Sequence, residues 1–349
     1  MSMQPYNNSP YSDSPYSDSP YNSRMSRATG VRRSLGRLWA TNAPLTFVGL
    51  AMIVLLSVAL AGVLFDPRVI TGSPAWLKPG KFALSVAIYS LTLVWLLGFV
   101  KGRERLVAVV ANVTAAAFAA EMLIIVFQVV RGTTSHFNVS SSLDTALWTV
   151  MAVAIVVLWL MNLLAATLVT LQRFDNPAWA WSLRLALLVT FIGLGLGFLM
   201  TSPTAQQLAS WQSGGPVTVV GAHTVGALDG GPGLPVVGWS IQGGDLRVPH
   251  FVGMHALQLL PLVGWFISRR RRWPMSSRVA MVVTVALSYL GLVGLVTWQA
   301  LRAQPLLAPD ALTLTALAAL GAVTLTALLA FGLGARDAAS PVVPGIRKD

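Results

Sequence analysis

The chain has 349 residues, of which 55% are hydrophobic and only 10% charged, against the ~25% charged expected of a soluble globular protein. Too few charges are present to cover a water-soluble surface, and too much apolar material for a disordered chain. No cysteine occurs, which excludes disulfide scaffolds, cysteine-ligated zinc, iron–sulfur clusters and thiol catalysis.

Residues 1–23 carry a five-residue repeat, with Tyr6, Tyr11, Tyr16 and Tyr21 evenly spaced and Ser-Pro before the last three. Little there can pack, so residues 1–43 are expected to form a disordered, Arg-rich cytoplasmic tail. A helix crossing ~30 Å of hydrocarbon needs about 20 residues. Apolar runs of that size fall at 44–65, 82–100, 106–130, 145–171, 180–201, 249–268, 279–299 and 311–334. They are continuous rather than alternating, which indicates helices and not barrel strands. The predicted class is an all-α polytopic membrane protein, a bundle of about eight transmembrane helices over 44–334, with a second cytoplasmic tail at 335–349. In the fifth span, Gly193, Gly195 and Gly197 include a small-xxx-small pair suited to close backbone approach. The first span, ending in Ala59-Leu60-Ala61, also fits a cleavable signal peptide. Its long preceding segment, and the continuation of the run to Phe65, favour a retained helix.

Lys and Arg set the orientation. With a cytoplasmic N-terminus, 18 of the 24 cations fall on inner segments. The six outer ones are Arg68, Lys78, Lys81, Arg131, Arg247 and Arg302. Both termini are therefore expected in the cytoplasm, with the bundle in the plasma (inner) membrane. The net charge of +12 follows from this topology and from attraction to anionic lipid. The expected partner is the lipid bilayer, and nucleic acid is not implied.

Two outer loops are unlike ordinary connectors. Residues 66–81 hold Pro67, Pro74 and Pro79, with Lys78 and Lys81 placed to attract an anionic group or, as the favoured reading, to snorkel toward the headgroups. Residues 202–248 hold ten of the thirty glycines among Trp211, Val219, Val236 and Trp239. So long a segment with apolar anchors reads as an ordered Gly-rich cap over the outer helix ends.

All four histidines fall on the outer side. His136 lies after the third span and His223 in the cap, while His250 starts the sixth span and His255 lies ~9 Å further in. Glu121 lies ten residues before Arg131, near the bilayer middle, where a carboxylate is costly and a functional candidate by default. Gln128 shares its helical face and Arg131 follows one turn later, which makes a polar stripe. Gln258 shares a face with His255, and Pro261 predicts a kink beside them. His250 and His255, five residues apart, point ~140° away from each other on a regular helix, so they are a poor ligand pair.

No G-x-S-x-G, Walker or dinucleotide sequence is present. The leading expectation is an outward-facing His/Glu site holding a non-haem transition metal through His136, His223 and His255, or haem b, for redox chemistry or metal handling. A haem would need a second ligand opposite His255, which a loop histidine or Met122 would have to supply. The alternatives are a proton-coupled carrier of a small solute using Glu121, and a non-catalytic scaffold or assembly partner. Whether the chain is an enzyme stays open at this point.

Overall fold

The structure, a computed structural model, describes residues 20–339. Eight of its helical segments are long and apolar enough to cross a membrane. In chain order the first are α1 (Pro20–Thr41), α2 (Ala43–Phe65), α3 (Leu77–Leu97), α4 (Glu104–Val130) and α5 (Ser142–Thr170). They are followed by α6 (Pro177–Gly195) with a 3-10 turn at Leu196–Thr201, then α7 (Ala205–Gln212), α8 (Arg247–Met254) and α9 (Ala256–Ser268). The last two are α10 (Met275–Leu301) and α11 (Ala311–Ala339). The tyrosine repeat at 1–19 and residues 340–349 lie outside the described residues. Where a disordered tail is expected up to residue 43, α1 covers Pro20–Thr41, so helix begins well before the first span.

Side-chain caps start three of the spans. Asn42 accepts from the Leu45 amide at 2.8 Å ahead of α2, and its amide also reaches Asn112 of α4 at 2.8 Å. Ser141 caps α5 and Asn176 caps α6, in each case satisfying an amide that the helix itself leaves free. The second, fourth and sixth spans differ from the hydropathy estimate in where they start or in their continuity. Helix α3 begins at Leu77, so Lys78 and Lys81 lie in its first turns and not in a connecting loop. Helix α5 begins at Ser142, and the sixth span is not one helix but two, α8 and α9.

The helices form two groups. Helices α2, α3, α4 and α5 pack on one another around Leu45, Leu93, Leu97, Ile125 and Met151, all fully or almost fully buried. Helices α6, α8, α9 and α10 pack around Val189, Leu260, Ala286 and Val293. Helix α11 leans only on α10 among the described residues, and most of it is exposed to the surroundings. Contact between α5 and α6 joins the groups on one side, and α3 meets α9 on the other.

The second group depends on the absence of side chains. A Cβ on Gly193 of α6 would stand 2.3 Å from the Gly253 carbonyl carbon of α8, so these helices touch backbone to backbone, as the glycine pattern in the fifth span leads one to expect. Gly264 of α9 likewise leaves room on its helix, here for the side chain of Ser182 of α6.

The segment 202–248 is an ordered cap. Its strand β3 (Thr224–Val225) pairs antiparallel with β4 (Gly244–Asp245), while the hairpin of β1 (Val69–Ile70) and β2 (Ser73–Pro74) approaches Gly230. Residues 137–139 pair with 218–220 through Val220 N to Phe137 O (2.9 Å) and Val139 N to Thr218 O (2.9 Å). Gln207 grips both the amide and the carbonyl of Gly221 at 3.0 and 2.9 Å. Main-chain hydrogen bonds, more than apolar packing, hold this cap without disulfides.

Replacing Gly253 by Ala should cost about 1–3 kcal/mol through overpacking and lower the melting temperature in detergent. Gly294→Ala meets nothing within 4 Å and sits within α10, so it should leave the melting temperature unchanged or raised. Because the chain has no native cysteine, Ser213→Cys should react with an impermeant maleimide on intact cells. Asp175→Cys should react only after permeabilisation, as the expected orientation requires.

Candidate functional site: an outward cavity between two helix groups

Beneath the cap, between α3 and α8, lies a cavity of about 720 Å³. Its cationic rim is built from helix starts. Lys78 and Lys81 project from the first turns of α3, and Arg247 is the first residue of α8. Lys81 donates to the Val237 carbonyl of the cap at 2.9 Å. Arg247 is clamped by Asp245 through Nε–Oδ1 (2.9 Å) and Nη2–Oδ2 (2.6 Å), with Nη2 also donating to the Gly238 carbonyl at 2.6 Å. Lys78 makes no ion pair among the described residues. Of the three rim cations it alone has no hydrogen-bond partner among the described residues.

His223 also lines the cavity. Its Nδ1 is 2.7 Å from Asp229 Oδ2, and Asp229 further accepts from the His223 and Thr224 amides at 2.9 Å. Burial lowers the His223 pKa and outweighs the pull of Asp229 in the other direction. Burial also opposes the Asp229 charge, but the imidazole and the two amides prevail and hold this carboxyl below the usual carboxylate range. The pair is thus a neutral imidazole donating through Nδ1 to a carboxylate, with Nε2 left as an acceptor.

His136 sits among aromatic rings, with centroids 5.4 Å from Phe82 and 5.7 Å from Trp148, and its Nδ1 meets Ser135 Oγ at 3.1 Å. Burial first, and then the nearby Lys78, push its pKa well below the ordinary value. Phe137 stands against both imidazoles, 6.1 Å from His136 and 5.0 Å from His223. These two histidines therefore belong to one cluster. His255 lines the same cavity from the opposite wall, exposed, with Nδ1 3.2 Å from Gln258 Oε1. His250 does not join them; its Nδ1 turns to the Gly193 carbonyl at 2.9 Å. Among the described residues no three His, Asp or Glu side chains are grouped so as to hold a metal ion.

The stripe on α4 divides in two. Gln128 and Arg131 both bond Asp144 Oδ1, at 2.8 and 2.6 Å, and Arg131 also donates to Gln128 at 2.5 Å. Asp144, the buried partner contributed by α5, is legible only as an acid near a helix start. The outer end of the stripe is thus a closed ion-pair network. Glu121 stands apart from it, buried at 4% exposure, with Oε1 lacking any hydrogen-bond partner. The charge that acts on it is that of Lys78.

Sequence reasoning missed Asp229 and Asp245. A usable signal was present for one of them. Asp66-Pro67-Arg68 and Asp245-Leu246-Arg247 share an Asp-x-Arg spacing, and both fold identically, the carboxylate taking the Arg amide and guanidinium together.

Below the cavity the wall of α9 is interrupted. The Gln258 amide turns back to the His255 carbonyl at 3.1 Å, in place of the Met254 carbonyl four residues before it. Met254 O is approached instead by Thr190 Oγ1 of α6 at 3.4 Å. The break lies at His255, about two turns ahead of Pro261, which stays inside α9. At this level Gln258 Nε2 reaches Thr92 Oγ1 of α3 at 3.3 Å. Beyond it a second, shallow and more open hollow of about 660 Å³ lies between Leu91 and Trp95 of α3 and Pro261 and Trp265 of α9, with Arg37 at its edge.

No family model, curated protein or solved structure matches the chain.

Stability should fall on acidification from pH 7 to 5. The unfolded chain protonates its histidines near 6.5 while folded His136 stays neutral, so stability present above that value is lost below it, by up to about 1.4 kcal/mol per pH unit for one site. His136→Phe should flatten this slope in thermal melts recorded across that range.

Proposed function

We propose that the protein is a carrier that takes an anionic small solute from the outer side and passes it along the seam between α3 and α8–α9. One observation carries this reading: two cavities lie in series on the same seam, separated by the Thr92–Gln258–His255 contact. Cavities on both sides of a thin polar barrier, beside a broken helix, are the geometry that alternating access uses. The broken helix supplies a hinge, because Met254 O and the Gln258 amide are already out of the α-helical ladder.

The charge of the outer cavity supports an anion. Asp245 occupies Arg247 and a cap carbonyl occupies Lys81, while Lys78 is left for the solute. Glu121 is the candidate for proton coupling, since it is buried, has an unpartnered oxygen and interacts electrostatically with Lys78. Arrival of an anion at Lys78 would remove that compensating charge and favour a proton on Glu121. Solute and proton would then move together. The metal and haem expectations gain no support from the arrangement of the imidazoles, since no three His, Asp or Glu side chains are grouped to hold an ion among the described residues.

Proteoliposomes tested with labelled succinate, glycerol phosphate and dodecanoate should accumulate at least one of them. Lys78→Gln should cut that uptake at least tenfold, and Glu121→Gln should remove its stimulation by an inward proton gradient. A disulfide between Thr92→Cys and Gln258→Cys should stop uptake until it is reduced. If the oxidised pair transports as fast as the reduced one, the seam is not the path and the carrier reading fails.

A further inference from the structure

We infer that the solute is an amphiphile, an alkyl chain bearing a carboxylate or phosphate head, and that it enters the outer cavity sideways from the outer leaflet. This rests on the carrier reading and narrows its substrate class.

The cavity is cationic at one level and apolar at the next. Lys78, Lys81 and Arg247 stand at the outer starts of α3 and α8. From Lys81 to Ile88 the same wall descends seven residues, ~10 Å along the helix, and it presents Leu84 and Ile88. Both side chains line the cavity, yet they are 48% and 36% exposed. At that depth in a spanning helix the surroundings are hydrocarbon, so the cavity has an open side toward lipid. Phe251 and Val252 of α8 and Tyr289 of α10 form the facing wall.

A small hydrophilic anion uses only the rim of such a site, and its desolvation against the apolar wall is unfavourable. An amphiphile lying in the outer leaflet already holds its head at the depth of the lysines and its chain beside Leu84 and Ile88. It can slide in without leaving the membrane. The hydrophobic effect supplies little of the selectivity, because the chain exchanges one apolar environment for another. Recognition then falls to the head, through Lys78, and to the width of the lateral opening at Ile88.

The test uses the full chain in phosphatidylcholine nanodiscs, with empty discs as blank and Trp239, which lines the cavity, among the fluorescent reporters. The probes are dodecyl phosphate, dodecanol and inorganic phosphate. Dodecyl phosphate should quench saturably, at least tenfold more tightly than inorganic phosphate, and dodecanol should not saturate. Lys78→Gln should weaken dodecyl phosphate at least tenfold, and Lys78→Arg should restore it. Ile88→Trp, which narrows the opening from an exposed position, should weaken dodecyl phosphate tenfold while leaving any binding of inorganic phosphate unchanged. Variants whose melting temperature falls are replaced by Leu84→Trp or Lys78→Met. If inorganic phosphate binds as tightly as dodecyl phosphate and Ile88→Trp alters neither, the amphiphile proposal is overturned and a small-anion carrier remains. Equal saturable binding of dodecanol overturns the role of the head. Binding of neither anion overturns this proposal and the anion-carrier reading together.

Discussion

A helix in hydrocarbon must satisfy its own backbone, and wherever it fails to, a neighbour must supply the missing partner. That constraint governs the sixth span of this protein. Its ladder is broken at His255, where the Met254 carbonyl is met by Thr190 of α6 and the Gln258 amide by the carbonyl of His255 itself. The break can be covered in this way only because α6 lies so close. The closeness comes from Gly193 against Gly253, where two chains touch without side chains between them. The same packing sets Arg247 on the cavity rim and brings Gln258 to Thr92.

The cap performs a second task. It sets acids against basic groups: Asp245 of β4 against Arg247 at the start of α8, and Asp229, from the loop beyond β3, against His223 within the cap itself. In each pair the carboxylate also accepts main-chain amides, so it is held by the loop before it meets its partner. The outer cavity is thus rigid along its roof and rests on a helix interruption at its floor. Such a combination suits a site that must keep its shape on one side and open on the other, as the proposed carrier requires.

Much of the fold was legible in the chain. Apolar runs of spanning length located every membrane helix, because exclusion of backbone from hydrocarbon leaves no other regular solution. Gly193 and the glycine-rich segment over 202–248 were readable as a close approach and an ordered cap, since each leaves a local compositional mark. The site was less legible. His136 and His223 do come together around Phe137, but their neighbours Lys78 and Asp229 lie 58 residues before and six after respectively, and nothing in local spacing links them. Lys78 and Lys81 read as snorkelling residues because a loop assignment hid the fact that α3 begins at Leu77.

Length, hydropathy and cation placement, then, determined by themselves that this chain is a helical membrane protein with its histidines gathered toward one face. They could do so because burial in lipid acts on each segment separately, residue by residue. Tertiary structure decided which of those polar groups share a space: that Arg131 is consumed by Asp144, that His250 turns to Gly193, and that Lys78 remains free above Glu121. Those outcomes depend on distances between segments far apart in sequence, set by how glycines and broken ladders let the helices approach, and no local pattern encodes them.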